Sequence, residues 1–122
     1  MTVKYVIAGL CAVAVLAYAQ VAVSANGQAV STQDWTTNKP VSSCVSDVKF
    51  GLNGAGFKHV TSGRTHKDGS VVLFADAGAY QATVFCLNKH IAMEVTGPSA
   101  SKATSLVDDF VQWYNVAAGY GF

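Results

Sequence analysis

The sequence predicts an α+β fold, a two-layer sandwich in which a four-stranded antiparallel meander is covered on one face by an N-terminal and a C-terminal helix. Three observations carry that expectation. Residues 57–97 alternate apolar and polar side chains between short turn-forming stretches, the period of half-buried strands. "SSCVSDVKFGLNGAGF" before them and "GPSASKATSLVDDFVQWY" after them repeat apolar residues every three or four positions, as amphipathic helices do. A sheet with one apolar face must bury it, and these two helices are the available cover.

The first 25 of the 122 residues read as an export signal rather than as part of the fold. Lys4 supplies a positive start, residues 5–19 are an unbroken apolar run, and "VSA" places Val23 and Ala25 where signal peptidase reads small residues. "AYA", ending at Ala19, is the second choice of cut. An uncleaved anchor is disfavoured because Gln20 interrupts the run short of the ~20 residues that span a bilayer. Cys11 is no lipoprotein cysteine, since Leu10 before it is bulky and the apolar run continues past it. The expected product is periplasmic or secreted, cut after Ala25, with no stable membrane span. Its layout is an extended leader over 26–41, the folded domain over 42–114 and a tail over 115–122.

With Lys4 removed, the eight Lys and Arg fall to seven and match the seven Asp and Glu. No basic stripe exists to neutralise phosphates, which argues against a nucleic-acid partner. Removing the signal also removes Cys11 and leaves Cys44 and Cys86. An even pair in an oxidising compartment is most simply a disulfide. The C-x-x-C spacing of redox and zinc sites is missing.

The elements follow in order. Residues 26–41, "NGQAVSTQDWTTNKPV", show no sustained period, and Trp35 is the residue able to pin them to the domain. In the first helix Cys44, Val48 and Leu52 form one stripe, with Ser42 or Ser43 as cap and Gly56 as terminator. Gly51 and Gly54 each cost about 1 kcal/mol in a helix interior, so this helix must lean on packing. "FKHVTSGR", "SVVLFA", "AYQATVFCLN" and "HIAMEVTG" are the strands. Asp68-Gly69 is expected to form a two-residue hairpin turn between the first two. Tyr80, Ala82, Val84 and Cys86 share one face of the third strand. Ile91, Met93 and Val95 form the dry face of the fourth, opposite His90, Ala92 and Glu94. The last helix buries Ala103, Leu106, Val107, Phe110, Val111 and Tyr114 behind a Ser99 or Ser101 cap. With the first helix lying on the dry face, Cys44 points down while Cys86 points up.

A signal segment, a cysteine helix ending "GAGF", a meander with a second cysteine, "VTGP" and a final amphipathic helix together resemble small uncharacterised exported bacterial proteins. The resemblance spans residues 43–113. It implies an exported α+β domain with one cysteine pair and transfers no activity and no site residues.

Candidate chemistry is sparse, and the sequence implies no cofactor. Ser99-Ala100-Ser101-Lys102 matches S-x-x-K, in which a lysine activates a serine, but its companion motifs S-D-N and K-T-G are missing and a helix cap explains the serines. "GLNGAG" follows no strand and opens no helix, so it is a helix end rather than a phosphate loop. Asp108 and Asp109 diverge by roughly 100° on a helix and belong to its solvated face. His59, His90 and Glu94 are the candidate metal or acid–base residues of the open sheet face, with plain solvent exposure the simpler reading. Trp35, Trp113, Tyr120 and Phe122 are the candidate binding anchors, because aromatics bury much area with few rotors. The function expected is a disulfide-stapled binding or accessory module with a protein partner in the envelope or outside the cell. The alternatives are an enzyme built on His59, His90 and Glu94, and a structural, self-associating envelope protein.

Overall fold

The computed structural model describes residues 20–23 and 28–119. Among the described residues six strands and two helices follow one another: β1 (Gln20–Val23), β2 (Ala29–Thr36), α1 (Val41–Gly54), β3 (Lys58–Ser62), β4 (Val71–Ala77), β5 (Tyr80–Leu87), β6 (His90–Gly97) and α2 (Ala100–Ala118). The sheet order is β1-β2-β6-β5-β4-β3, with every neighbouring pair antiparallel. Strands β3 to β6 are the expected meander. After β2, helix α1 carries the chain across the sheet to its opposite edge, where β3 begins.

Both helices lie on the same face, α1 over β3, β4 and β5 and α2 over β6 and β2. Leu73, Val84, Cys86, Ile91 and Val95 point up into this layer and are fully buried. Val48 and Leu52 of α1 and Val107, Phe110 and Tyr114 of α2 meet them from above. The α+β sandwich is therefore present, with more strands than the four expected.

The extra strands come from a segment whose pattern hides its pairing. Residues 29–36, read as an extended leader, are extended but form an eight-residue strand in full register with β6, from Ala29↔Gly97 to Thr36↔His90. The β2 residues opposite buried Val95, Met93 and Ile91 are Ser31, Gln33 and Trp35. Polar side chains thus occupy inward positions, and hydrophobic alternation cannot show there. Ser31 is fully buried, and its hydroxyl lies 3.4 Å from Thr104 Oγ1. β1 pairs with the outer edge of β2, Gln20↔Thr32 to Val23↔Ala29. The rest of the expected signal segment, residues 24–27 and the last three residues lie outside the described residues.

Three local expectations shift. The cap of α1 is Pro40 rather than Ser42 or Ser43, and no side chain caps it; the proline ring holds the entry backbone, so the helix starts at Val41. Asp68-Gly69 makes a turn, with Gly69 at φ 87°, but inside a longer loop over 63–70 rather than a two-residue hairpin. The Asp68 side chain accepts from the Ser70 backbone N–H at 2.9 Å and its hydroxyl at 2.7 Å, an Asx-type closure that holds the loop shape. α2 runs on through residues assigned to a tail, to Gly119 at φ 82°. Its first turn is capped as expected: Ser99 Oγ accepts from the Lys102 N–H at 3.3 Å.

The two helices meet at the glycines that make α1 intrinsically weak. A Cβ on Gly51 would stand 2.9 Å from the Phe110 ring and 3.2 Å from Tyr114 Cβ, so the missing side chain is what lets α2 approach. Phe110 and Tyr114 stack at 5.9 Å, and Trp35 closes on both at 6.3 and 5.6 Å. Trp35 thereby fastens β2 beneath α2. Gly54 is covered in the same manner by the Trp113 ring.

Cys44 of α1 and Cys86 of β5 form a disulfide with Cα atoms 5.9 Å apart, both at most 1% exposed and 42 residues apart in sequence. In the chain-entropy account a ring of that length stabilises by about 4 kcal/mol. Cys44→Ser/Cys86→Ser should lower the free energy of unfolding by about 4 kcal/mol, seen as a lower urea midpoint with a somewhat steeper slope, because the uncrosslinked unfolded chain exposes more surface. Gly51→Ala should also destabilise, by about 1 kcal/mol net. Overpacking against Phe110 outweighs the roughly 1 kcal/mol that alanine adds in helix propensity.

Candidate functional site

The helices cover one side of the sheet and leave the other open. Strand alternation places Val72 and Phe74 of β4, Phe85 and Leu87 of β5, Ala92 and Glu94 of β6 and Thr32 and Asp34 of β2 on that open side. Two cross-strand rows organise the centre. One runs Val72–Phe85–Ala92–Asp34 and the next Phe74–Thr83–Glu94–Thr32. Phe74 is 47% exposed and Phe85 37%, high values for large apolar residues at the middle of a sheet.

Phe85 stands as a ridge between two shallow depressions. On one side, Ala92 is too small to fill its place in the row. A hollow of about 270 Å³ opens over it, walled by Phe85, Thr32, Asp34 and Glu94. On the other side, a broader hollow of about 490 Å³ is lined by Val72, Leu87, Ser70, Asp68, Lys67 and His66. A third, of about 270 Å³, sits between Phe74 and Asp76 near the β3 edge. An aromatic wall beside carboxylates suits an ammonium or guanidinium group, which both the ring face and the charge attract.

The histidines serve the rim of this face. His59 Nδ1 lies 3.1 Å from each carboxylate oxygen of Asp76. It occupies the irregular stretch of β3 between Lys58 and Thr61, with φ 56°. Between β6 and β2 His90 Nε2 is 3.6 Å from Asp34 Oδ2. His59, His90 and Glu94 are not gathered by the fold. Four residues along one strand separate His90 from Glu94 by roughly 13 Å, and three strand spacings set His59 off by roughly 14 Å. Among the described residues no group of three or more His, Cys, Asp and Glu converges.

The expected aromatic anchors divide. Trp35 is committed to Phe110 and Tyr114 and so is part of the packing. Trp113 is 43% exposed, but its ring covers Gly54 and lies 6.1 Å from Phe50, which gives it structural work on the helix layer. Tyr120 and Phe122 lie outside the described residues. Sequence reasoning passed over Phe74 and Phe85, although the signal was there. Placing Leu73 and Val84 inward obliges their neighbours Phe74 and Phe85 to point out.

The S-x-x-K serine is spent as a cap, and Ser99 also donates its backbone N–H to Tyr80 Oη at 3.0 Å. Asp108 lines a shallow surface hollow with Asp109, Thr104 and Ser101 on the outside of α2. Among the described residues no helix is long and apolar enough to cross a membrane. No family model matches the chain, nor does any curated protein or solved structure.

The clearest electrostatic signature on the open face is Asp68. Its carboxyl is held below the usual aspartate value, first by the Ser70 hydroxyl, then by the Ser70 backbone N–H, with His66 adding in the same direction against slight desolvation. A depressed folded-state value means the contribution is present above the unfolded value and is lost as pH falls through the folded one. NMR titration should show Asp68 protonating below a free aspartate. Ser70→Ala should move its midpoint up towards the ordinary value.

Proposed function

We propose that this chain is a small exported binding module, stapled by Cys44–Cys86, that captures a protein partner outside the cytosol on the open face of its sheet. The observation that carries the reading is the exposure of Phe74 and Phe85 at the centre of a face that neither helix covers. Isolated exposed apolar residues are ordinary, but here Val72 and Leu87 adjoin the two rings and the hollows lie between them. The partner presents apolar side chains to Phe74 and Phe85 and a lysine or arginine to the hollow bounded by Asp34 and Glu94. That hollow has two carboxylates on its rim and no Lys or Arg among its lining residues.

Nothing in the arrangement calls for bond making. The serine of the catalytic-looking motif caps a helix, and the two His–Asp pairs stand apart across the sheet, one joining β3 to β4 and the other β6 to β2. The binding reading uses the residues that the fold leaves idle. An extracellular compartment agrees with a buried disulfide between α1 and β5.

The test is affinity capture with the tagged full chain, expressed in its exporting host and cross-linked there before lysis. Phe74→Ser/Phe85→Ser should reduce recovery of the cross-linked partner by roughly 30-fold, the loss of about 2 kcal/mol typical of a hot spot. The thermal transition should stay cooperative, because both rings already face solvent. Glu94→Lys should weaken capture as well, and added salt should weaken the wild-type complex more than the Glu94→Lys one. Undiminished capture by the double serine variant would refute the open-face reading. A homodimer as the sole cross-linked product would replace it with self-association.

A further inference from the structure

We infer that the export machinery cuts this chain after Ala19, so that the mature protein begins at Gln20 and keeps β1 as its outermost strand. The inference rests on the export reading above and moves the scissile bond from Ala25 to Ala19.

The structural argument comes from what a cut after Ala25 would discard. Gln20–Val23 pairs in continuous antiparallel register with residues 32 to 29 of β2. Helix α2 packs against this short strand as well as against β2. The β2 residues opposite Val21 and Val23 are Ser31 and Ala29, which are 0% and 4% exposed. Removing β1 would leave the outer N–H and C=O groups of residues 29–32 as a bare sheet edge. Such an edge loses its hydrogen bonds and invites pairing with another chain. Cutting after Ala19 keeps all four residues of β1 and their pairing with β2.

The sequence accommodates that cut without strain. Ala17 and Ala19 place alanine at both recognised positions, the A-x-A form itself, whereas the site at Ala25 uses the larger Val23. Ahead of Ala17, residues 5–16 give an apolar core of about a dozen residues, within the ~7–15 that signal segments use. Apolar character first breaks at Gln20.

The full-length chain with a C-terminal tag, recovered from the exported fraction of a bacterial host, tests this by intact mass and N-terminal peptide sequencing. The expected chain spans residues 20–122. It is lighter by one ammonia where Gln20 has cyclised: the α-amino nitrogen bonds to its own Cδ, the Cδ–Nε2 bond breaks and ammonia leaves. A chain beginning at Asn26 overturns the Ala19 cut while leaving export intact. A chain found only with its N-terminal segment attached overturns both. As a second arm, Ala19→Lys should accumulate as precursor while Ala25→Lys is processed as fully as wild type. Loss of processing in Ala25→Lys would overturn the inference.

Discussion

The disulfide between Cys44 and Cys86 is the constraint on which the rest of this architecture hangs. It joins the first helix to the third strand of the meander through the middle of the core. A domain this small buries a thin core, and α1 carries an interior glycine at Gly51, a second at its last residue and no side-chain cap, so its own propensity does little to keep it in place. The covalent tie anchors α1 over β5. Gly51 can then face Phe110 closely, and α2 can lie beside α1 over β6 and β2. Trp35 completes the arrangement by fixing β2 beneath α2. Each contact presupposes the one before it.

The same layering decides which surface is free to act. Among the described residues two helices cover one face of the sheet and none lies on the other. Alternation along β4 and β5 then sends Phe74 and Phe85 to the uncovered side because Leu73 and Val84 are needed in the core. Ala92, between Phe85 and Asp34 in the cross-strand row, leaves the hollow that the two carboxylates border. The candidate site follows from register and side-chain size, with no special loop.

Much of this was legible in the residues, and the gaps have physical causes. The meander and both helices carry strong apolar periods, and the cysteine pairing follows from their number and compartment. β2 is hidden because its inward positions include Ser31 and Gln33, polar residues where a pattern search expects hydrocarbon, and Ser31 finds its partner in the Thr104 hydroxyl. The cap of α1 was misplaced by one turn's edge because Pro40 fixes the backbone without offering a side-chain acceptor. On the site, His59, His90 and Glu94 were grouped by residue type, and only the strand order reveals how far apart they stand. Phe74 and Phe85 are readable from alternation along β4 and β5; of the two tryptophans, Trp35 packs against Phe110 and Tyr114, whereas Trp113 keeps 43% of its surface exposed.

The most direct measurement of the central claim is the redox state of the two cysteines in protein taken from outside the cytosol. Unfolding that material in an alkylating reagent without reductant, followed by peptide mapping, reports each thiol separately. The account predicts that the peptides containing Cys44 and Cys86 remain unlabelled and travel as one linked species. Label on both peptides, in protein that is otherwise folded and exported, would contradict it.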